Sequence, residues 1–153
     1  MSDLHDDAAL AVLERRIDEW LAVFHTNNEV VADIQRGEGD ERRWFVRMRG
    51  VEKEFTTVWL TLGQRTLRYE TYVLPAPEEN VAEFYEHLLR RNDRLVGAHF
   101  SIGIEDAVFL RGEIAVSALN QQELDRILGS MYAYVEQCFR PALYIGFASR
   151  FRD

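Results

Sequence analysis

The stretch from residue 42 to residue 74 constrains this chain most, because its apolar residues recur every second position rather than every third or fourth. In "RRWFVRMRG" Trp44, Val46 and Met48 alternate with Phe45, Arg47 and Arg49. In "FTTVWLTLG" Val58, Leu60 and Leu62 alternate with Thr57, Trp59 and Thr61. Gly63-Gln64 then gives a short reversal into "TLRYETYVL". β-Branched and aromatic residues in period-two alternation, split by turn residues, predict an antiparallel meander with one face on a core. "VVADIQR" (30–36), followed by Gly37-Glu38-Gly39-Asp40, is a candidate leading strand.

Helical periodicity brackets this block. Leu10, Leu13, Ile17, Leu21 and Phe24 recur at spacings of three and four, predicting a helix over 7–26 with Trp20 beside its apolar stripe. Asp6 and Asp7 suit its N-cap and first turn, and Asn27-Asn28 suit a left-handed exit. Pro77 fits the first position of a second helix, with Glu78 and Glu79 in its first turn. Val81, Phe84, Tyr85, Leu88 and Leu89 form that helix's apolar face to about residue 92.

A second β pair follows, in which Phe100, Ile102 and Ile104 share one face. Val108, Leu110, Ile114 and Val116 do the same across the turn. Asn120 and Glu123 then read as a capping box, with Leu119 and Leu124 as the hydrophobic staple. The last helix presents Leu124, Ile127, Leu128, Met131, Tyr132, Val135, Cys138 and Phe139. Pro141 is expected to stop it, leaving "ALYIGF" as a short apolar segment packed back on the body. Strands that arrive in hairpin groups favour an α+β fold with an antiparallel sheet packed by three helices over a doubly wound one.

The 153 residues suit a single domain spanning 1–153, and a net charge of −8 argues against duplex nucleic acid or an anionic membrane surface as partner. One cysteine excludes an internal disulfide and fits a reducing compartment. "MSDLHDDAAL" lacks the basic and apolar regions of a signal peptide, and no apolar run approaches the roughly 20 residues of a membrane span. A soluble cytoplasmic protein is therefore expected.

Catalytic constellations do not emerge. His5, His25, His87 and His99 lack metal-ligand spacing, and Cys138 lies on an apolar stripe where a buried thiol is the ordinary expectation. "GEGD" (37–40) precedes a strand and lacks the Lys-Ser/Thr of a phosphate loop. Glu105 and Asp106 read as solvated turn acids. Arg42, Arg43, Arg47 and Arg49, with Trp44 and Phe45 among them, could form a single-strand nucleic-acid surface. In a chain this acidic they read better as a solvated sheet face paired with Glu52, Glu54 and Glu70.

"EFYEHLLRRNDRLVGAHFSI" (83–102) crowds His87, Arg90, Arg91, Asn92, Asp93 and Arg94 together. As a helix end it is accounted for: Arg90 and Arg91 complement the dipole, Asn92 suits a left-handed cap, and Gly97 allows the turn into the strand. Arg90 points away from the apolar line of Val81, Tyr85, Leu88 and Asn92.

This segment, then "VFLRGEIAVSALNQQELDRILGSM" and the closing "FRPALYIGF", resembles the bacterial YbjN-like family over about residues 56–148, through an LL-x-RN-xx-L-x-GA-x-F core and a downstream L-x-G-x-I. Members are described as sensory-transduction regulators sharing the architecture of type III secretion chaperones. The resemblance implies an α-β-β-β-α-β-β-α chain and brings no catalytic motif. It implies no catalytic, metal or cofactor-binding residue and no cofactor.

The reading that follows is a non-enzymatic protein-interaction module, regulatory or chaperone-like, that binds a protein partner and self-associates as a homodimer in the manner of the chaperones. Aromatic surplus points to Trp20, Trp59 and Phe109 as partner-binding residues, together with outward-pointing Arg90. The alternative is a small-ligand or nucleotide-responsive sensor with a pocket between sheet and helices near His87, Arg91 and His99. An enzyme ranks third.

Overall fold

The computed structural model describes residues 5–151. Among these, α1 (Asp7–Asn27) is followed by β1 (Val31–Arg36), β2 (Arg42–Arg49), β3 (Phe55–Leu62) and β4 (Thr66–Leu74). Then come α2 (Val81–Asn92), β5 (His99–Ile102), β6 (Val108–Ala115) and α3 (Gln121–Gly146). The strands form one antiparallel sheet in the order β1-β2-β3-β4-β6-β5. The fold is thus α+β, as expected, but the first strand group has four members rather than the three that the family resemblance implies. "VADIQR" is a genuine strand whose apolar alternation is weak because it forms the sheet edge.

Register divides the sheet into two faces. One row runs Arg36, Trp44, Leu60, Tyr69 and Gly112; the adjacent row runs Gln35, Phe45, Trp59, Glu70, Arg111 and His99. Side chains alternate along strands, so these rows point to opposite faces. The Trp44 and Leu60 row is buried beneath the helices, where α3 crosses β3 and β4 with α1 and α2 on either side of it. Leu10, Leu13, Ile17, Leu21 and Phe24 of α1 are all buried in that core, as their spacing predicts.

Both helix starts with strong sequence signals have the expected N-cap residue, though the capping box at Asn120 is only half formed because the Glu123 carboxylate binds Arg126 instead of reaching back. The Asp6 carboxylate accepts from Ala9 N, and the Asn120 side chain accepts from Glu123 N at 2.8 Å. Leu119 and Leu124 are both buried, as a staple requires. The exit of α1 differs from expectation: Asn28 is extended (φ −132°), and its amide instead donates to the Phe24 carbonyl. Helix α2 begins at Val81, not Pro77. Glu78 and Glu79 are held outside it, their N–H groups both donating to the Gly146 carbonyl, and Glu78 pairs with Arg150.

Pro141 does not stop α3, which continues to Gly146. The proline is exposed, so the carbonyl it leaves unpaired can be hydrated. The stripe continues past it through Ala142 and Gly146, both buried. Burial of that last turn against α2 outweighs an interior-proline cost of about 3 kcal/mol. The hairpin between β2 and β3 is tied to the same helix: the Glu136 carboxylate accepts from Val51 N (2.6 Å) and Glu52 N (2.7 Å), and the Tyr132 hydroxyl donates to the Arg49 carbonyl.

The segment joining α2 to β5 is locked onto the sheet. Gly97 has φ +75°, and its carbonyl accepts the Tyr69 hydroxyl at 2.6 Å. Gly112 on β6 lies beneath this contact; a Cβ there would overlap both the Gly97 carbonyl oxygen and the Tyr69 ring. Asn92 is not left-handed: it is the last residue of α2, and its side chain binds the backbone of Phe100 twice, accepting from N (2.6 Å) and donating to O (3.2 Å). Urea denaturation checks the lock. Gly112→Ala is expected to cost about 1–3 kcal/mol through overpacking, and Tyr69→Phe about 1 kcal/mol through one lost hydrogen bond. A neutral Gly112→Ala would show that the backbone relaxes freely there.

Candidate functional site

Helix α2 carries two parallel ridges at i,i+4 spacing, and only one faces the core. Phe84 and Leu88 are buried; on the other ridge Tyr85 is half-buried, while Val81 and Leu89 are exposed, Leu89 by 67%. The exposed ridge looks across to β5, where Ile102 is 54% exposed and Ile104 beyond the strand is more exposed still. The expected burial of Ile102 and Ile104 is therefore corrected. Strand β5 is a short edge strand, and the chain leaves it through a turn in which Glu105 and Asp106 both have φ of 57°. That turn carries Ile104 outward, and its two acids are exposed, as expected of solvated turn residues.

Between ridge and edge lies an apolar cleft of about 240 Å³ lined by Tyr85, Leu88, Leu89, Phe100, Ile102 and Val108. Its edge is half closed. Asn92 occupies the outward N–H and C=O of Phe100, whereas Gly103 N turns inward to the Ala107 carbonyl. By strand alternation the N–H and C=O of Ile102 face the same way as those of Phe100, beyond the reach of that cap.

The predicted partner-binding residues do not converge. Trp20 is half-buried against the core beneath α1. Trp59 and Phe109 both lie on the face of the sheet that carries no helix, Trp59 edge-on to Phe45 at 5.9 Å. Phe109 is buried between Tyr72 (5.8 Å) and the Arg111 guanidinium (4.5 Å). Arg90 is exposed on α2, 3.5 Å from Glu86. The exposed ridge was the missed signal: five apolar positions at 81, 84, 85, 88 and 89 span a wider arc than one contact with a sheet needs.

The arginines of β2 are satisfied, though not by the predicted acids. Arg42 binds Glu14 at 2.7 Å, Arg43 pairs with Glu41, Arg47 stacks on Phe55, and Arg49 donates to the Glu29 carbonyl. Glu14 also holds Arg36. Burial pushes the Glu14 carboxyl up, but hydrogen bonds from Arg36 and Arg42 outweigh it and hold the group below the usual carboxylate range. Glu70 pairs with Arg111 instead.

On the opposite flank of α2, facing α3, His87, Arg90, Arg91 and Arg94 line a second cavity of about 400 Å³ with Leu95, Tyr134, Gln137 and Cys138. His99, predicted to join them, lies elsewhere, beside Arg68 and Arg111. Cys138 is buried, and burial pushes its thiol up while Arg91 pulls it down. Among the described residues no group of three or more His, Cys, Asp or Glu is placed to hold a metal ion. No described helix is long and apolar enough to cross a membrane.

This architecture is shared with a solved structure from a type III secretion system. One chain of the heterodimeric ExoU–SpcU complex from the type III secretion system of Pseudomonas aeruginosa superposes with a TM-score of 0.54 at 13% identity, covering 82% of this chain and 98% of that one. At that identity the likeness establishes the fold.

Residues 15–143 match the model of the YbjN family, described as "Putative bacterial sensory transduction regulator", and the chain belongs to that family. The uncharacterized protein Rv0487 of Mycobacterium tuberculosis is 35% identical over 104 residues, 68% of this chain and 57% of that protein. ML2442 of Mycobacterium leprae is 30% identical over 107 residues, 70% of this chain and 58% of that protein. The chain thus spans little more than half the length of these relatives.

The cavity beside α3 gives a pH prediction. Burial, and then the nearby Arg91 charge, hold His87 below its ordinary value, only partly offset by Glu83. The folded protein therefore binds a proton at His87 less readily than the unfolded chain, and stability falls as pH drops through the histidine range. Denaturation across that range should show a shallower acid-side loss in His87→Gln; an unchanged slope would remove His87 as its source.

Proposed function

We propose that this protein is a non-enzymatic interaction module, regulatory or chaperone-like, that receives an apolar segment of a partner protein in the cleft between α2 and β5. The observation that carries this reading is the exposure of Leu89 and Ile102 opposite one another over a floor of Leu88, Phe100 and Val108. Burying a leucine or isoleucine side chain is worth about 1.5–3 kcal/mol, so a segment covering both gains several kcal/mol before its ordering cost is counted. Polar residues flank the strand that forms one wall of the cleft: Asn92 binds the Phe100 backbone at its start, and the exposed Glu105-Asp106 turn follows its end. An apolar centre within a polar rim is the anatomy of a protein interface.

Two further lines support the reading. The family is described in regulatory terms, and the solved structure that shares the fold comes from a heterodimeric complex. Catalysis would need a nucleophile activated by an acid or base in reach of a bound substrate. The α2–β5 cleft is lined by apolar groups with Ser101 and Tyr85 as its polar side chains and, among the described residues, no histidine, carboxylate or amine beside them.

A photo-crosslinking residue placed at Leu89 tests the site, with Val51, an exposed apolar residue on the β2–β3 hairpin, as control. Leu89 is expected to yield a discrete protein adduct that Val51 does not, and Ile102→Asp to abolish it while leaving the melting transition nearly unchanged. An adduct of twice the chain mass would make the occupant a second copy. Identical adduct patterns at both positions, or none at either, would contradict the assignment.

A further inference from the structure

The cavity between α2 and α3 concentrates positive charge that the protein itself leaves uncompensated. Arg90 is partly neutralised by Glu86. Arg91 gives its Nε–H to His87 Nε2 at 3.3 Å, an uncharged acceptor, and its charge lies close enough to the buried Cys138 thiol to pull that group's pKa down against burial. Arg94 has no side-chain hydrogen bond or ion pair among the described residues. Among the described residues no carboxylate pairs with either Arg91 or Arg94, although the chain carries 26 acidic residues against 18 basic ones. Arg36, Arg42, Arg43, Arg111, Arg126, Arg140 and Arg150 each have a carboxylate partner. Arg15, Arg16, Arg47, Arg49, Arg65 and Arg68 also lack one among the described residues; what joins Arg91 and Arg94 is that both line one cavity.

Two guanidiniums without a carboxylate partner bordering one cavity match the recognition of an oxyanion, for which arginine's planar fork supplies parallel donors. His87 and the Gln137 amide add hydrogen-bonding groups, while Leu95 and the Tyr134 ring give an apolar wall. The Tyr134 hydroxyl is already engaged with Val96 N at 3.1 Å, which fixes that wall in place. A cavity of about 400 Å³ exceeds the needs of a bare phosphate and suits a phosphate with an organic group attached.

We propose that this cavity binds a small organic phosphate, its phosphate held by Arg91 and Arg94 and its organic part lying against Leu95 and Tyr134. The site is separate from the α2–β5 cleft, because His87, Arg91 and Arg94 line the flank of α2 facing α3 while Tyr85 and Leu89 line the flank facing β5. It goes beyond the protein-binding reading and stands or falls independently of it.

Isothermal titration calorimetry of the 153-residue chain with AMP, inorganic phosphate, pyrophosphate and citrate, at matched ionic strength, tests the site. AMP is expected to bind most tightly, with citrate about tenfold weaker or worse. Arg94→Gln and Arg91→Gln are each expected to weaken AMP about tenfold, as loss of one charge-assisted contact predicts. Arg94 is exposed and unpaired, so its replacement leaves the fold intact even where Arg91→Gln does not. Chemical shifts of His87 and Gln137 should move on adding AMP in the parent chain. Absence of binding by every phosphate at millimolar concentration would overturn the proposal, as would citrate binding as tightly as AMP or equal affinity in Arg94→Gln.

Discussion

The contact between the Tyr69 hydroxyl and the Gly97 carbonyl, seated over Gly112, is the point on which the second half of the fold turns. Strand β6 pairs with β4 and so places Gly112 opposite Tyr69. Only a residue without a side chain lets the α2–β5 connection descend onto that spot. Once Gly97 is there, β5 can pair with β6 in a single register, and Asn92 at the end of α2 meets the backbone of Phe100. Each bond is worth about 1 kcal/mol net; their larger effect is to fix where α2 stands relative to the sheet. The LL-x-RN-xx-L-x-GA-x-F and L-x-G-x-I patterns thus contain the parts of a structural clamp: Asn92, Gly97 and Gly112.

That clamp makes α2 a divider. Its buried ridge holds it to the core, one flank faces the edge strand across an apolar cleft, and the other faces α3 across a cationic cavity. The two clefts differ in chemistry because the helix sequence does. Positions 81, 85 and 89 are apolar and positions 87, 90, 91 and 94 are basic, 94 lying just past the helix. The same helix end that the dipole makes favourable for arginine therefore also supplies the charge of the cavity.

Much of this was legible in the sequence, for reasons that differ by element. Period-two alternation placed β2 and β3 correctly because one face of each is buried and the other is open. The Asn120–Glu123 cap was readable because capping depends on residues within one turn. Pro141 and Asn92 were misread for the opposite reason: local rules make proline a helix stop and asparagine a left-handed cap, but tertiary packing decided both. Burial of Ala142 and Gly146 carried α3 through the proline, and with Gly97 already supplying the positive φ, Asn92 was free to cap an edge strand. The exposed ridge of α2 escaped because periodicity marks which residues are apolar without saying which of two adjacent ridges meets the core. Trp59 and Phe109 were recognised as aromatic surplus, yet their partners, Phe45 and Tyr72, emerge only from strand register.

The account rests on an edge closed by the clamp at Phe100 and left open at Ile102, where a partner segment would sit. Amide hydrogen exchange of the free protein, resolved by residue with NMR, measures that difference directly. Phe100 N–H, bound by Asn92, is predicted to be protected, and Ile102 N–H to exchange at a rate near that of an open chain. Equal protection at both positions would mean that the edge is already covered in the free protein, and rapid exchange at Phe100 would mean that the clamp does not hold.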